Sequence, residues 1–538
     1  MRPIVRAPPA GRRHAAVTDW RYPDLAMTDL LPSRGPAAIA GAVAGAAAIG
    51  VNELLAGILP GAPSFVVEVG AAVIALQPPG AKQLMVDLFG TNDKLVFNVL
   101  IAAVAIGGAA VLGVVARRRF GLAALGFAGA GAAAMVVSVL LDPLVDPVLA
   151  LLSASVSVGV GLVVLAGLLR LATPYETVAE MPDFSRRRFI GTSLAVAGVA
   201  VTSGLIGRVI GEQGRVADPV GVPPLPEPVD PLPALAPGTD LGIGGLSPIV
   251  TPNAEFYRID TSLLVPRVDA ATWELTVSGM VDRPLTLTYA DVLALPLHER
   301  YVTIACVSNE VGGDLVGNAL WRGALLRDVL ESSGVRGGAT QVVGRSFDGW
   351  TCGFPTEWVM TDERDALIAV AMNDEPLPAE HGFPARLIVP GLFGYVSATK
   401  WLTNIELTTW EAFDAYWVPL GWAKEGPILT QSRIDVPRSG DTVGVGDVAV
   451  AGVAWAPDRG ISGVEVRVDD GPWQPAELST PINDATWVQW RFAWSATSGG
   501  HTLRVRATDG AGTVQEERAT RPAPDGARGD HTISVTVG

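Results

Sequence analysis

Cys306 stands where a predicted β-strand ends, in the segment TIACVSN at positions 303–309. The strand would fix the position of this side chain, and the loop that follows would leave one side of it open to a ligand. A thiolate is both a soft metal ligand and a nucleophile. Two other interpretations stay open: a lone cysteine is often a small buried apolar residue, and Cys306 could pair with His381 as a nucleophile and its base.

A second group of chemically active residues lies in the segment HGFPARLIVPG at positions 381–391 and just after it. Arg386 opens a predicted buried strand, His381 precedes it, and Lys400 follows it. These side chains are types that bind anions, because arginine recognises phosphate through two parallel hydrogen bonds and lysine acts as a point charge. A structural salt bridge is the alternative interpretation for Arg386.

The elements that would position these groups are of mixed type. We predict strands and helices, in chain order, over residues 273–277, 289–295 (helix), 301–305, 323–333 (helix), 366–371, 385–389 and 401–407. Thr288 and Asp291 have the spacing of a capping box at the start of the first helix. The spacing of the strands is too irregular for a doubly wound sheet, and neither a G-x-G-x-x-G nor a phosphate-loop lysine motif occurs. We therefore expect an α+β domain without a nucleotide site.

The last part of the chain has a different pattern. Short alternating segments cover residues 448–453, 463–468, 487–494, 501–507 and 531–537. Turn sequences separate them, such as DDG at 469–471 and GG at 499–500. Short strands at regular spacing predict an all-β sandwich, and no catalytic set is visible in this part.

Together these motifs resemble the sulfite oxidase family of molybdopterin-dependent oxidoreductases. Besides the cysteine loop, the matching segments are PN (252–253), FYR (256–258), MN (372–373), EPLP (375–378), HGFPAR (381–386), PG (390–391) and KW (400–401). The tail, with GVEV at 463–466 and DDGPW at 469–473, resembles the immunoglobulin-like dimerisation domain of that family. The resemblance implies a sulfite-oxidase-type molybdopterin-binding domain over 251–425, an immunoglobulin-like domain over 426–538 and a homodimer.

The resemblance also implies roles for individual residues. Cys306 would be the catalytic residue and the thiolate ligand of molybdenum, beside the dithiolene of molybdopterin. The cofactor contacts would be Asn253, Tyr257 and Arg258 around the pterin, Ser346 beside it, His381 and Arg386 at phosphate and pterin, and Ser397 and Lys400 in the loop that closes over it. Cys352 matches no ligand position.

The departures from the family pattern concern the substrate. Sulfite oxidases and plant nitrate reductases follow the ligand cysteine with AGNRR, whereas this chain has VSNEV at 307–311. The arginine that helps to bind the substrate anion is therefore missing from the loop, and Val370 stands where an active-site tyrosine is expected. These departures argue against sulfite and nitrate. Oxygen-atom transfer to or from another small oxo-substrate needs only the metal and an open position.

The first part of the chain is apolar enough to lie in a membrane. Of the whole chain 49% is hydrophobic and 17% charged, and only 12 charged residues lie between Pro36 and Leu171. A spanning helix needs roughly 20 apolar residues. Four uncharged runs reach this length, at 95–116, 120–141, 147–169 and 189–207, and a fifth at 36–59 is broken only by Glu53. The segment 64–86 is weaker.

Arginine clusters predict the orientation of these spans. Six arginines precede residue 36, and RRR occurs at 117–119 and at 186–188. Basic residues stay in the cytoplasm. All three clusters are cytoplasmic if 1–35 is a cytoplasmic tail, the transmembrane region 36–211 has five spans and 64–86 is re-entrant or interfacial. Everything after residue 211 is then outside the cytoplasm. The segment SRRRFI at 185–190 matches a twin-arginine export signal, the alternative being an ordinary basic helix flank.

Other features limit the partners. Prolines make up eight of the nineteen residues from Pro219 to Pro237, which predicts an extended linker over 212–250. No histidine lies in a predicted span and there is no iron–sulfur spacing, so we expect no haem, no iron–sulfur cluster and a separate electron partner, a protein or a quinone. The net charge of −15 argues against nucleic acid as a partner.

The alternatives to a molybdenum enzyme are a non-catalytic membrane receptor or scaffold with a degenerate molybdopterin fold, and a Cys306–His381 hydrolase or transferase.

Overall fold

The structure is a computed structural model that describes residues 31–59, 61–76, 93–141, 145–173, 184–216, 223–262, 265–266, 268–361 and 364–538. The chain divides into two compact units. The first takes its residues from 1–51, 103–131 and 155–202, and the second from 52–102, 132–154 and 203–538.

Long apolar helices make up the first part of the chain. Its described residues form six helices, α1 to α6, with bounds Arg34–Ile58, Phe65–Leu76, Asp93–Ala116, Phe120–Leu141, Pro147–Ala172 and Phe184–Val216. Among the described residues, all of them except α2 are long and apolar enough to cross a bilayer. Their large apolar side chains point outward, as with Leu125, Leu140 and Val163, which are 69%, 76% and 73% exposed. The expectation of five long apolar helices is therefore confirmed, and the described part of the weak segment is the short helix α2. Residues 77–86 lie outside the described residues.

Glycines allow α1 and α3 to pack closely in the first unit. A Cβ atom added to Gly41 would lie 2.2 Å from the carbonyl oxygen of Ala109, and one added to Gly113 would lie 2.2 Å from that of Ala37. Side chains of any size at these positions would push the backbones apart. This contact accounts for the glycines at these two positions, because close packing of apolar helices requires small residues where the backbones meet.

The end of α1 carries a buried acidic side chain in the second unit. Glu53 is 5% exposed, accepts a hydrogen bond from the Ser64 hydroxyl at 2.5 Å and forms an ion pair with Arg208 of α6 at 3.1 Å. The two helix backbones meet beside this pair, because a Cβ on Gly207 would lie 2.2 Å from the Glu53 carbonyl oxygen. Both carboxylate oxygens of Glu53 are therefore bonded.

Two five-stranded sheets form the middle of the chain. The first has the order β2-β1-β10-β5-β6, with strands Leu285–Thr288, Glu274–Gly279, Leu402–Thr408, Gln341–Ser346 and Thr351–Pro355. The second has the order β3-β4-β7-β8, with strands Leu297–Ala305, Val316–Leu325, Leu367–Met372 and Glu375–Pro376, and β9 (Arg386–Ile388) also pairs with β7. The helices α7 to α9 are Tyr289–Ala294, Leu326–Ser333 and Gly394–Ser397. This α+β architecture confirms the predicted class.

Strong local sequence signals predict the bounds of helices and strands correctly, and weak ones do not. The capping box of α7 is present, with Thr288 Oγ1 accepting from the Asp291 amide and the Asp291 carboxylate accepting from the Thr288 amide. The predicted helix over 323–333 starts only at Leu326, because residues 323–325 belong to β4. Nine of the ten residues of β4 are buried, so the strand shows no alternation between polar and apolar residues. The strands β5 and β6 were missed as well.

The last part of the chain consists of strands in two sheets. One has the order β11-β13-β17-β16, with strands Gln431–Val436, Gly446–Trp455, Val488–Ala496 and Glu477–Leu478. The other has the order β12-β19-β18-β14-β15, with strands Thr442–Val443, His531–Val537, Gly499–Asp509, Ile461–Val468 and Gln474–Pro475. Apolar residues of both sheets, such as Val450, Trp490, Val466 and Leu503, share one buried core. The prediction of an all-β region is confirmed.

The described part of the proline-rich linker lies along the two β-rich parts of the chain, residues 274–408 and 431–537. Residues 223–250 contain no helix or strand. They are nevertheless bonded to the rest of the second unit: the Val229 amide donates to the Leu297 carbonyl at 2.8 Å, and the Leu241 amide donates to the Gln489 side chain at 2.7 Å. The linker therefore contacts both β-rich regions.

Candidate active site

Cys306 follows β3 directly, as the sequence predicts, and opens a loop that we call the ligand loop, residues 306–315. β3 and β4 pair from Leu297 to Ala305 of β3, so the loop connects two rigid neighbouring strands. The loop is closed by its own backbone, because the Cys306 amide donates to the Leu315 carbonyl at 2.9 Å. The Asn309 side chain accepts from the Leu315 amide at 2.9 Å. The position of Cys306 is thus fixed from both ends.

The segment PNAEFYR reaches Cys306 from outside the sheets. A short 3₁₀ helix, Asn253–Glu255, turns the chain so that Phe256 is buried. The Phe256 ring stacks on Tyr257, with centroids 5.3 Å apart, and meets the rings of Trp321 and His381 edge-on. This buried aromatic group holds Tyr257 beside Cys306. In the sequence, Phe256 is visible only as part of the matching segment FYR.

Asn253 holds two segments together through its side chain and its backbone. Its amide nitrogen donates to the Met372 carbonyl and to Glu375, and its amide oxygen accepts from Asn373 at 2.8 Å. Its carbonyl oxygen lies 2.8 Å from His381 Nε2. Because a carbonyl oxygen only accepts, His381 donates through Nε2, and its Nδ1 is a buried acceptor without a hydrogen-bond partner in the part of the chain that the structure describes.

Arg386 is a buried cation. It is 3% exposed, its Nη1 donates to the His381 carbonyl at 2.9 Å, and its guanidinium lies 5.0 Å from the ring centre of Trp321. Among the described residues no carboxylate forms an ion pair with it, and its Nε has no hydrogen-bond partner. The salt-bridge interpretation of Arg386 therefore has no partner to support it here.

Lys400 follows the same segment of the chain, and its ammonium group is paired with a carboxylate. Its ammonium donates to the Glu380 carbonyl at 2.9 Å and to Asp260 Oδ2 at 3.3 Å. Asp260 also pairs with Arg258 at 3.0 Å, so one buried carboxylate lies between two cations. Arg258 itself is an exposed residue at the rim.

A cavity of about 120 Å³ brings part of the predicted set together. Its wall includes Tyr257, Cys306, Ser346, Arg386 and Lys400. The other four predicted residues do not line it. Asn253 and His381 lie behind the wall, Arg258 lies at the rim, and the hydroxyl of Ser397 donates to the Leu392 and Phe393 carbonyls.

Part of the wall consists of residues that the sequence did not predict. It is formed by Asp260, Asp348, Trp350, Tyr395, Trp417 and Trp422. The Tyr395 hydroxyl donates to the Ala423 carbonyl at 2.7 Å, so this side chain presents its ring rather than its hydroxyl. Seven of the twenty described residues that line the cavity are aromatic, and two are carboxylates. No local motif marks these residues, because they come from separate segments of the chain.

Burial shifts the pKa values of the ionisable groups in and behind the wall. It lowers the pKa of Arg386 to about 10 and that of Lys400 to about 8, although Asp260 acts against the shift of Lys400. It lowers the pKa of His381 to about 3, so this imidazole is neutral at physiological pH. Burial also raises the pKa values of Asp348 and Tyr257, and in Tyr257 the nearby Cys306 adds to the increase.

These groups fit a large anionic cofactor better than a bare metal ion. No group of three or more His, Cys, Asp or Glu side chains in the described ranges could hold a metal directly. A metal at Cys306 would therefore take its other ligands from a cofactor. The unpaired guanidinium of Arg386 offers hydrogen bonds to an anion, and the orphaned Nδ1 of His381 offers an acceptor.

Comparisons with known proteins find relatives of the part of the chain that contains this site. Residues 262–417 match a family model described as oxidoreductase molybdopterin binding domain. The uncharacterized oxidoreductase YuiH of Bacillus subtilis is 36% identical over 158 residues, which cover 29% of this chain and 76% of that protein. The mitochondrial sulfite oxidase of Homo sapiens is 29% identical over 316 residues, which cover 50% of this chain and 57% of that protein.

The chain thus spans little more than half the length of the sulfite oxidases that it matches. Among solved structures, the sulfane dehydrogenase SoxCD from Paracoccus pantotrophus aligns with a TM-score of 0.48 at 23% identity, over 60% of this chain and 92% of that chain. The family model and the sequence relatives agree with each other. This chain belongs to the sulfite oxidase family of molybdopterin-dependent oxidoreductases.

Proposed function

We propose that this protein is a membrane-anchored molybdopterin-dependent oxidoreductase that acts outside the cytoplasm. It would transfer an oxygen atom to or from a small oxo-substrate at a molybdenum ligated by Cys306. When bound, the cofactor supplies a metal that exchanges an oxo group together with two electrons. Activity, substrate and partners are all part of the proposal.

The observation that carries this proposal is the unpaired Arg386 in the same cavity as Cys306. A buried guanidinium without a carboxylate is costly unless an anion joins it. The cofactor's phosphate is such an anion, and a thiolate in the same cavity is the ligand that its metal needs. Neither a receptor with a degenerate site nor an ordinary core cysteine requires this combination.

Each predicted residue has a role in this proposal that its contacts support. Cys306 would bind the metal, Tyr257 and Ser346 would face the pterin, and Arg386 would bind phosphate and pterin oxygens. Lys400 would keep its ion pair with Asp260 in the loop that closes over the cofactor. The remaining four are Asn253, Arg258, His381 and Ser397. They would hold the backbone and the rim around the cofactor, except that His381 also offers its Nδ1.

The charges of the wall also limit the substrate. Lys400 is paired with Asp260, and Arg386 would be taken by the cofactor, so among the described residues the wall keeps no free cation for an anionic substrate. Asp348 adds a further carboxylate. Together with the missing loop arginine and with Val370, which is buried in β7, these charges lead us to expect that sulfite and nitrate are poor substrates.

The membrane part of the proposal rests on the five apolar helices and their flanking arginines. The outward-pointing apolar side chains of α3 to α6 suit lipid. With all arginine clusters in the cytoplasm, residues 212–538 would lie outside it, and SRRRFI would act as the export signal. The linker 212–250, the molybdopterin domain 251–425 and the final region 426–538 would then follow in order. The final region would be an immunoglobulin-like domain that forms a homodimer.

Electron exchange would use a separate protein or a quinone. All five histidines lie outside the five candidate spans, so we do not assign a haem to the helical region. The Cys306–His381 hydrolase gains no support from the site. His381 is not in the cavity wall, its Nε2 bonds to the Asn253 carbonyl, and an imidazole with a pKa of about 3 is a weak base.

The test is metal and pterin analysis of the purified full-length protein, followed by a substrate screen. We expect about one molybdenum and one pterin per chain. We also expect turnover of an uncharged oxo-substrate, such as a sulfoxide or an N-oxide, with an artificial electron donor or acceptor. Protein from molybdate-fed cells that contains neither molybdenum nor pterin would contradict the proposal. Rapid sulfite oxidation would contradict only the substrate part.

A further inference from the structure

The ligand loop does not depend only on its own domain for its position. It lies against the final β-rich region, and two side chains of that region, Arg433 and His531, contact it directly. Both side chains belong to strands of different sheets in that region, β11 and β19. Neither residue lines the cavity.

Arg433 joins three segments of the chain. Its Nη1 donates to the Gly313 carbonyl of the ligand loop at 2.6 Å, its Nη2 donates to the Ser247 hydroxyl of the linker at 2.8 Å, and its Nε donates to Asp435 at 2.6 Å. Its side chain is 10% exposed. All three nitrogens of this buried guanidinium are hydrogen-bonded, so the Arg433 side chain is held in one orientation. The Gly313 carbonyl that it binds therefore has little freedom to move.

His531 fixes the adjacent position by packing. Its Nδ1 accepts from the Ile434 amide at 3.0 Å, which sets the orientation of the ring. The ring then lies so close to Gly312 that an added Cβ would come within 2.2 Å of the His531 ring. Gly312 has a φ of 78°, which other residues rarely adopt. Contact and conformation therefore both require glycine here.

The strand on the other side of Cys306 is held by the same region. The Thr303 amide donates to the Ala485 carbonyl at 2.9 Å, and the Trp487 amide donates to the Thr303 hydroxyl at 2.8 Å. Thr303 lies three residues before Cys306 and Gly312 six residues after it. The chain on each side of the proposed metal ligand is thus bonded to the final region.

We infer that Arg433 and His531 are positioning residues for Cys306, so that the final β-rich region forms part of the active site as well as any dimer contact. This inference rests on the proposed function, because it treats Cys306 as the metal ligand. The residues act through the backbone of Gly312 and Gly313. They define the direction in which the thiolate enters the cavity, which a metal–sulfur bond requires more strictly than folding does.

The first experiment measures the loop without the metal. In full-length protein from cells grown without molybdate, iodoacetamide should label Cys306 about tenfold faster in Arg433→Gln than in the wild type, because a bond from a charged donor no longer closes the loop. Arg433→Lys should give an intermediate rate, since lysine can still reach a single acceptor. Cys352 is fully buried, and mass spectrometry of the labelled peptides separates the two cysteines.

The second experiment measures the loaded enzyme. In Arg433→Gln and His531→Phe we expect kcat to fall about 10- to 100-fold with KM little changed, and the thiolate-to-molybdenum absorption band to shift. The matched control is Arg364→Gln. Arg364 also pairs across to the final region, with Asp458 at 3.1 Å, but it does not touch the ligand loop. The control should leave the labelling rate, the band and kcat near the wild-type values.

The outcomes separate the two levels of the proposal. If the Arg433 and Arg364 variants behave alike in labelling, absorption and kcat, the final region only joins domains and the positioning inference is wrong, while the molybdenum enzyme stands. If the wild type binds no molybdenum, the proposed function fails. The labelling difference would then still report whether Arg433 holds the loop.

Discussion

The helical region and the cavity region each bury a charged side chain, and they treat it in opposite ways. Glu53 has both oxygens bonded, one to Ser64 and the other to Arg208. Arg386 is buried more deeply, yet it has no carboxylate partner among the described residues. A buried charge that is fully bonded belongs to the architecture. One that is left incomplete indicates a ligand that the fold is built to receive.

The largest effect that follows from this comparison concerns Cys306. In Cys306→Ser we expect activity to fall by more than about 1000-fold while the pterin stays bound, because the soft ligand is lost but the anion contacts remain. Cys352→Ser is the matched control. Cys352 lies outside the cavity, accepts from the Thr399 hydroxyl, and has a pKa raised to about 11 by burial. Activity assays with pterin analysis would refute the assignment if both variants lost activity equally.

His381 is also incompletely hydrogen-bonded, and its burial makes the free energy of unfolding depend on pH. Its pKa is lowered to about 3 in the folded protein, against 6.5 when exposed. Between these values the unfolded chain binds a proton that the folded chain does not, so the free energy of unfolding falls as the pH falls through this window. From pH 6.5 to 4 this loss is roughly 3 kcal/mol at most. His381→Gln should remove it, as seen in denaturant titrations at several pH values.

His501 serves as the control for that titration. Its imidazole bonds to Asp469 at 2.8 Å, which raises its pKa above the ordinary value. Its contribution is therefore present below pH 6.5 and is lost as the pH rises through the folded pKa, the reverse of His381. If His501→Gln and His381→Gln changed the pH dependence in the same direction, the assignment of His381 as a buried neutral imidazole would be wrong.

The sequence could predict those features of the fold and site that depend on local patterns. The strand end before Cys306, the capping box at Thr288, the five apolar helices and the anion-binding types of Arg386 and Lys400 are all visible within short segments. The family resemblance then joined the segments that lie far apart. Where local pattern and burial agree, the structure follows the prediction.

The remaining features could not be predicted because they depend on contacts between distant segments. β4 is buried almost throughout, so its sequence shows no alternation. Asp348 and Trp417 reach the cavity from loops that carry no motif. Arg433 lies 120 residues from the Gly313 carbonyl that it binds. Whether Arg386 has a carboxylate partner also depends on the fold, so its residue type alone left both interpretations open.

A substitution of Glu53 tests whether a fully bonded buried charge stabilises the fold. Glu53→Leu should lower the free energy of unfolding by about 2 kcal/mol, because it leaves Arg208 and Ser64 without their partner; Arg208 is 32% exposed, which reduces the loss. The double variant Glu53→Leu with Arg208→Leu should recover most of the stability, since no unpaired charge remains. Thermal midpoints of the purified protein would measure both. Equal losses in the single and double variants would mean that the pair itself is not the cause.

A substitution of Arg386 tests whether a buried charge without a carboxylate partner destabilises the fold. The expected change in the free energy of unfolding has the opposite sign to that for Glu53. In protein without cofactor, Arg386→Met should raise the free energy of unfolding by about 1 kcal/mol, because an apolar side chain of similar length replaces an unpaired buried cation over Trp321. The same variant should lose the pterin, since the anion no longer has a buried partner. Thermal midpoints with and without cofactor, together with pterin analysis, would measure both effects. A stability loss in the cofactor-free protein would mean that Arg386 stabilises the fold by itself, like Glu53, and the difference between the two regions would disappear.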